Sequence, residues 1–341
     1  MSLRLMQIIV PEVDRLRLEE LVDGEEVVSS WQQARSGDRV AVNIVVRAEA
    51  TEPIMDRVDK RFSRTEGFRL LLYPLEAVLP RLVEAKVEPE AELGAKAKES
   101  PRSRISREEL HHNIIESMGP PRIYAVMTAL SVVVAAVGLL RDDLAVIIAA
   151  MVIAPLLGPN VALALATTLA DAELAASALK RNAAGFTLAL VRALVAGWAL
   201  PVDASVPAIE GRTHVQLSDL ALALSAGVAG TLAFTTGASS ALIGVMVAVA
   251  LMPPLVVFGM LLGSGQLEAA YGAGLLVAAN LVCVNLAGVA TFVAQGVRPS
   301  RWWEAVRAGK TARLGLISWL ILLLALSALL VYTQYSDSLG F

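Results

Sequence analysis

The sequence predicts an α-helical integral membrane domain of about seven spans, preceded by an N-terminal α+β ferredoxin-like soluble domain. The chain has 341 residues, of which 56% are hydrophobic, and its mean hydropathy is +0.62. That composition is more apolar than a soluble chain of this length would have. Charge is also uneven, because the first 120 residues hold 18 of the 29 Lys and Arg and 22 of the 32 Asp and Glu. A charged soluble domain therefore precedes a membrane domain.

The N-terminal domain is expected over residues 1–82. Strand patterns occupy 3–10, 27–33, 39–48 and 68–75, and helical spacing occupies 14–22 and 53–64. The order β-α-β-β-α-β is typical of a ferredoxin-like sandwich and is shared by small ligand-binding domains of the ACT type. Two interpretations stay open: a regulatory or oligomerising domain, or a structural cap that binds no ligand.

A charged linker with a short amphipathic helix is expected over residues 83–118. It is rich in Ala, Glu and Lys and is interrupted by Pro89 and Pro101. Ser106 and Glu109 have the spacing of a capping box, which predicts a short helix ending near Met118. His111 and His112 are adjacent, so their rings would point about 100° apart on that helix and would not form a two-histidine metal site.

The transmembrane domain is expected over residues 119–341. A spanning helix needs about 20 apolar residues. The charge-free run 220–267 is too long for one span, and the small polar residues at 235–240 divide it. The predicted spans lie near 123–140, 144–170, 182–202, 217–235, 239–263, 269–297 and 314–332.

The loop charges predict the orientation, because Lys and Arg collect on the cytoplasmic side of a membrane. One side receives Arg122, Lys180, Arg181, Arg298, Arg301, Arg307, Lys310 and Arg313, and the other receives Arg141 and Arg212. The first residues, MSLRLMQIIVPEVDR, lack the apolar segment of a signal peptide. We therefore expect a cytoplasmic N-terminal domain and a C-terminus outside.

Prolines interrupt two apolar runs. Pro155, Gly158 and Pro159 lie within 149–165, and Pro253 and Pro254 lie within 247–265. A proline inside a helix costs ~3 kcal/mol, and freed backbone groups are tolerated at membrane depth only inside protein or beside a wet cavity. Ordinary kinks are the alternative, because proline is frequent in membrane helices.

The two proline elements suggest an internal repeat. Asn182 follows Pro155 by 27 residues, and Asn280 follows Pro254 by 26. Each unit would hold three spans, and an odd number of spans reverses the direction of the second unit. Inverted repeats with paired broken helices are a recurring design of secondary transporters.

The candidate substrate-binding residues are those at the two breaks and the polar residues at membrane depth, which are functional candidates by default. They are Pro155, Gly158, Pro159, Asn160, Arg192, Pro253, Pro254, Asn280 and Asn285. The N-terminal end of a half-helix suits an anion or a carboxylate. Arg192 allows two interpretations: it faces the interior and pairs there, or the third span is tilted and Arg192 reaches the interface or pairs for stability.

Several function classes are disfavoured. The net charge of −3 argues against a nucleic-acid partner, and the single Cys283 permits no disulfide within the chain and is expected to be a packed core thiol. The patterns G-x-S-x-G, H-E-x-x-H, C-x-x-C and the P-loop do not occur. We therefore expect no enzyme activity, no cofactor and no metal.

The stretch MVIAPLLGPNVALALATTLAD (151–171), with VALMPPLVVFGMLLG (249–263) and NLVCVNLAGV (280–289), resembles a prokaryotic membrane family, domain of unknown function 389. The resemblance covers roughly 115–300. It implies a prokaryotic plasma (inner) membrane location and no particular activity. Asn160 departs from the family pattern, since an apolar residue is expected after the second proline.

These observations predict a transport protein. It would move an unknown small solute or ion past paired proline-broken helices, as a homo-oligomer in the lipid bilayer, regulated or oligomerised by its cytosolic domain. The alternative is a membrane-anchored sensor or scaffold whose soluble domain binds a ligand. The transport hypothesis requires both proline elements to be unwound and to face each other.

Overall fold

The computed structural model describes residues 3–22, 27–34, 38–75, 105–236, 240–298, 314–315, 317–325 and 328, with side chains omitted at 240–249. The chain divides into two compact units, Met1–Arg107 and Glu108–Phe341. Most of the predicted linker, 83–104, lies outside the described residues. Each unit is described separately below.

The N-terminal unit contains the predicted β-α-β-β-α-β order. Its strands are β1 (Leu3–Pro11), β2 (Val27–Ala34), β3 (Arg39–Arg47) and β4 (Arg69–Leu75), and its helices are α1 (Arg15–Val22) and α2 (Ala48–Phe62). A 3-10 turn, Glu12–Asp14, precedes α1. The second helix begins at Ala48, before the predicted start at Pro53, and carries that proline inside it.

The four strands form one antiparallel sheet with the order β2-β3-β1-β4. Alternate residues of β1, Met6, Ile8 and Val10, point into the core with those of β3. Ile54, Val58 and Phe62 recur at helical spacing on α2 and bury against the same core. Because the core-facing residues recur at the spacing of strands and helices, the N-terminal sequence predicted these elements correctly.

The second unit is helical throughout its described secondary structure. Its helices are α3 (Arg107–Ser117), α4 (Pro121–Leu140), α5 (Leu144–Ile153), α6 (Leu157–Leu169), α7 (Ala172–Ala199), α8 (Pro207–Glu210), α9 (Leu217–Thr236), α10 (Ser240–Gly263) and α11 (Leu267–Ala294). Residues 314–315, 317–325 and 328 are also helical and belong to the seventh predicted span.

Four of these helices, α4, α7, α9 and α11, are long and apolar enough to cross a membrane. Helices α5 and α6 together are also long and apolar enough to cross a membrane, with a bend of 54° between them. In α10, the apolar part with described side chains is the shorter segment Ala250–Gly263. The chain thus has four or five candidate spans among its described residues, and this suggests a membrane location.

Aspartates and small residues fix the course of these helices. Asp143 accepts hydrogen bonds from the N–H groups of the first turn of α5, and Asp171 does the same for α7. Helices α7 and α10 approach closely, because a Cβ added at Gly259 would lie 2.5 Å from the Cβ of Ala193. Such small-residue contacts are common between membrane helices.

Candidate functional site

The break between α5 and α6 lies at the first proline element. Pro155 has no N–H, so the carbonyl of Met151 loses its donor within the helix. Ala154 precedes that proline and is extended, with φ −68° and ψ 119°, because a residue before proline avoids the helical region. The helix therefore ends at Ile153 and resumes at Leu157, as the sequence predicted for this element.

The break is enclosed by protein. Gly158, Pro159 and Asn160 are buried in the first turn of α6. Gly158 lies against the end of α3, since a Cβ there would approach the carbonyl oxygen of Ser117 to 2.7 Å. On the other side of the break, Ser131 of α4 donates a hydrogen bond to the carbonyl of Ala150 at 2.7 Å. The Ala150 carbonyl also accepts from the N–H of Ala154, so the Ser131 bond ties α4 to the last turn of α5 in addition to the helical bond.

The second proline element is not broken, which corrects the prediction. Helix α10 continues through Pro253 and Pro254, both buried. Because Pro254 lacks an N–H, it leaves the carbonyl of Ala250 without its helical donor. The side-chain amide of Asn280, on α11, donates to that carbonyl at 2.7 Å. A tertiary hydrogen bond thus replaces the missing helical one, and the two proline elements do not form a pair of breaks.

Two predicted asparagines meet in the buried interior. Asn285 of α11 donates through Nδ2 to Oδ1 of Asn160 at 3.3 Å and to the carbonyl of Leu281 at 2.9 Å. Asn160 in turn donates to the carbonyl of Leu156 at 2.7 Å. Since an amide nitrogen must face a carbonyl, these bonds also fix the orientation of both amides. The first turn of α6 is therefore joined to α11.

Arg192 is not brought to this region. The buried stripe of α7 includes Ala189, Ala193 and Gly197, whereas Arg192 lies on the exposed side of the helix. The structure does not place it beside Asn160, Asn280 or Asn285, all of which are buried. The proposed role of Arg192 in solute binding gains no structural support.

Two polar side chains near the break were not among the predicted site residues. Asn182 of α7 and Tyr124 of α4 are buried. Within the described part of the chain, neither polar atom of Asn182 nor the hydroxyl of Tyr124 has a hydrogen-bond partner. Asn182 could be found in the sequence as the counterpart of Asn280. Tyr124 gave no signal, because an aromatic residue near the start of a span is ordinary.

The polar groups at the break and around it are uncharged, apart from the nearby Arg181. Among the described residues, no group of three His, Cys, Asp or Glu could hold a metal ion. Cys283 is fully buried. An apolar groove of about 500 Å³ lies between α7, α10 and α11, with Phe186, Leu190 and Phe258 in its lining. That lining suits hydrocarbon better than a polar solute.

Ionisable groups collect instead in the connection that contains α8. Hydrogen bonds from the Ser205 hydroxyl and N–H lower the pKa of Asp203. Burial lowers the pKa of Arg212, and the nearby charges of Asp219 and Asp142 oppose that effect. Arg212 and Asp203 lie outside the helices that carry the predicted site.

Comparison with known proteins identifies the family. Residues 151–286 match the family described as Domain of unknown function (DUF389). An uncharacterized protein of Methanocaldococcus jannaschii is 32% identical over 333 residues, which cover 97% of this chain and 100% of that protein. The chain belongs to the DUF389 family. No solved structure matches this DUF389 chain.

The DUF389 match begins at Met151, one helical turn before Pro155, and ends just after Asn285. It therefore contains every predicted site residue, including Arg192 and the Pro253–Pro254 pair. Tyr124, Ser117 and the whole N-terminal unit lie before it. The family segment of this DUF389 protein thus contains both the break at Pro155 and helix α10, which continues through Pro253 and Pro254.

Proposed function

We propose that this DUF389 protein is a membrane transport protein that moves a small solute or ion through an inverted-repeat core. The observation that carries the proposal is the 54° break of the α5–α6 span at Pro155. The second break that the sequence hypothesis required is absent from this conformation, because α10 runs continuously through Pro253 and Pro254. There Asn280 holds the freed carbonyl. Irregular backbone inside the membrane is characteristic of transporter binding sites.

Helix packing supports the repeat. One unit would comprise α4, the pair α5 and α6, and α7, and the other would comprise α9, α10 and α11. Helix α7 of the first unit packs on α10, and α11 of the second packs on α6. The third helix of each unit therefore contacts the proline-bearing helix of the other, as a two-fold relation in the membrane plane requires.

Alternating access requires the two repeats to adopt different conformations at the same time, as the broken α5–α6 span and the continuous α10 do. In an inverted-repeat carrier, one repeat rocks or gates against the other around a fixed site. A single conformation then holds the two repeats in unequal arrangements. We propose that Asn280 leaves the Ala250 carbonyl in the opposite conformation, so that α10 bends at Pro253 and Pro254 while α5 and α6 straighten.

The N-terminal unit supports a regulatory or oligomerising role in a homo-oligomer. Its antiparallel order β2-β3-β1-β4 with two helices fits a ferredoxin-like domain. A cavity of about 570 Å³ lies beside α1 and β2, with Glu19, Glu20 and Trp31 in its lining. We propose that this unit is cytoplasmic, that the C-terminus lies outside, and that the protein resides in a prokaryotic plasma membrane.

Flux in proteoliposomes tests the proposal. A thermal-stability screen of the purified full chain with small ions and metabolites first selects solutes, and their uptake is then measured. We expect Pro155→Ala to abolish uptake, because alanine restores a helical donor at the break. Ala184→Leu, on the exposed side of α7, is the matched control and should transport normally.

The same assay examines the remaining site residues. Arg192→Ala should leave uptake intact, since Arg192 lies on the exposed side of α7. Uptake that survives Pro155→Ala unchanged would contradict the proposed role of the break. A protein that binds a ligand but moves none of the selected solutes would instead favour the sensor or scaffold hypothesis.

A further inference from the structure

Two buried polar side chains beside the break have no hydrogen-bond partner among the residues that the structure describes. Asn182 is 6% exposed and Tyr124 is 4% exposed. Nδ2 and Oδ1 of Asn182 and the hydroxyl of Tyr124 all lack a hydrogen-bond partner. A buried polar group that is left unpaired carries the full cost of losing its hydration. A bound ligand that uses these groups would remove that cost.

The two side chains are neighbours on the packed face of α7. Tyr124 of α4 lies against Gly185, because a Cβ at Gly185 would be 2.9 Å from Cε1 of Tyr124 and closer still to its hydroxyl. Gly185 follows Asn182 by three residues, so both lie on one side of α7, and both are buried. The phenol therefore ends about one helical turn from the Asn182 amide.

The first turn of α6 lies at the same level. Helices α6 and α7 pack together and are joined through Ala170 and Asp171, so they run antiparallel. Asn182 is eleven residues from Asp171, or about 16 Å along the helix. The residue of α6 at that distance from the turn is Asn160. Asn182 therefore lies at the level of the start of α6. The same segment contacts both, since Gly158 lies against Ser117 and Arg181, the neighbour of Asn182, bonds the carbonyls of Met118 and Gly119.

That helix start has donors that no side chain caps. The residue before α6, Leu156, makes no side-chain cap hydrogen bond, and the turn is buried. The first backbone N–H groups of a helix have no acceptor within it and carry partial positive charge. In this turn the free backbone N–H groups are those of Leu157 and Gly158, because Pro159 has no N–H.

Arg181 adds a full positive charge at the edge of the same region. Its Nη1 donates to the carbonyls of Gly119 at 2.9 Å and Met118 at 3.3 Å. Its guanidinium carbon lies 6.0 Å from the centre of the Tyr124 ring. Within the described part of the chain, no salt bridge joins a carboxylate to Arg181. Its charge is therefore not neutralised by an ion pair there.

We infer that Tyr124, Asn182 and the first turn of α6 form a binding site for a small anion, a carboxylate or inorganic oxyanion of a few atoms. The donors at this place are the Tyr124 hydroxyl, Nδ2 of Asn182 and two backbone N–H groups, whereas Oδ1 of Asn182 is an acceptor and would not contact the anion. Helix N-termini bind such anions readily. Burial of both side chains excludes a large ligand. This inference rests on the proposed function in one respect: the transport of the bound anion across the membrane.

Anion-dependent stability of the purified full chain tests the site. The thermal unfolding midpoint is measured while sodium formate, nitrate or phosphate replaces sodium gluconate at constant ionic strength. We expect a saturable rise with at least one of these anions. Asn182→Leu and Tyr124→Phe should each weaken the apparent affinity about tenfold or more, because each removes a hydrogen bond to a charged ligand.

Thr128→Val is the matched control. Thr128 is buried one turn from Tyr124 on α4, but its hydroxyl already donates to the Tyr124 carbonyl at 2.8 Å. This variant should keep the anion response. If Asn182→Leu does not fold, Tyr124→Phe, which removes a single oxygen atom, carries the test. A response that persists in both site variants, or that Thr128→Val also loses, would overturn the inference.

The stability and flux measurements distinguish a wrong anion site from a wrong transport function. A saturable anion response without flux of that anion leaves the site standing and removes the proposed transport function. Flux of a cation or neutral solute, with no stabilisation by any of the three anions, overturns the anion site and leaves transport standing. Unliganded Asn182→Leu should be at least as stable as the parent protein, because it removes an unpaired buried amide.

Discussion

The carbonyl of Ala250 has no donor in its own helix, because Pro254 occupies the position four residues later. The Asn280 amide supplies that donor from another helix at 2.7 Å. The carbonyl of Met151 is in the same position relative to Pro155, and there the chain bends by 54°. At the scale of single residues, a proline therefore decides where a helix is weakened, and a tertiary partner decides whether it breaks.

Replacing Asn280 by alanine should destabilise the protein by about 1–3 kcal/mol, because it leaves the Ala250 carbonyl buried and unpaired. Chemical unfolding of the purified protein in detergent measures this loss. Thr291→Ala is a suitable control, since Thr291 is buried on the same helix but its hydroxyl bonds only the carbonyl one turn earlier. Equal losses in the two variants would argue against a special role for Asn280.

Part of the site could be predicted from single residues. Asn160, Asn280 and Asn285 are candidates because polar residues at membrane depth are functional by default, and the structure shows all three buried, each with its amide nitrogen donating to a backbone carbonyl. The contact between Asn160 and Asn285 could not be predicted, because 125 residues separate them. The exposed position of Arg192 was equally unpredictable, since it depends on which side of α7 packs inward.

At the scale of elements, small residues set how closely the helices approach. Gly197 of α7 faces the backbone of Met260, and Gly263 of α10 faces that of Leu194. In the same way, a Cβ at Gly227 of α9 would lie 2.8 Å from the carbonyl oxygen of Val284 on α11. Close contacts of this kind at small residues are common between membrane helices.

Gly197→Leu should destabilise the pairing of α7 with α10, because its side chain would occupy the position of the Met260 backbone. Overpacking of this kind costs typically about 1–3 kcal/mol and occasionally more. Size-exclusion chromatography and thermal unfolding measure the effect. Ala184→Leu adds the same side chain on the exposed side of α7 and should be tolerated. Similar midpoints for the two variants would show that the close contact is unimportant.

Some helix starts and ends could be predicted because their signals are local: α9 begins at Leu217 and α10 ends at Gly263, as expected. The third span was predicted to begin at 182, but α7 begins at Ala172, where Asp171 caps it. The continuity of α10 could not be predicted. Its stabilising amide lies 30 residues away on α11, and the local sequence around Pro253 contains only the destabilising signal.

At the scale of the whole molecule, composition alone separates the two units. The charged N-terminal residues form a β-sheet unit with its own core, and the apolar remainder forms helices. The topology across the membrane rests on the Lys and Arg of the loops, which predict a cytoplasmic N-terminal unit.

Cysteine labelling tests this topology. In a Cys283→Ala background, Ser205→Cys and Glu66→Cys are compared in intact cells with a membrane-impermeant maleimide; both positions are exposed. We expect labelling at 205 in intact cells and at 66 only after lysis, because the connection after α7 is predicted to lie outside. Labelling at 66 in intact cells would reverse the predicted orientation.

The close contact between α7 and α10 has a mechanical consequence. Where Gly197 and Gly263 bring backbone against backbone, no flexible side chain lies between the helices to absorb a displacement. The part of α10 that follows Pro254 should therefore move together with α7. Bending is then left to residues 154–156 and to the proline pair of α10, where backbone torsions can change without separating this packed interface. A displacement of α7 would thus be passed on to these two proline elements and not absorbed between the two helices.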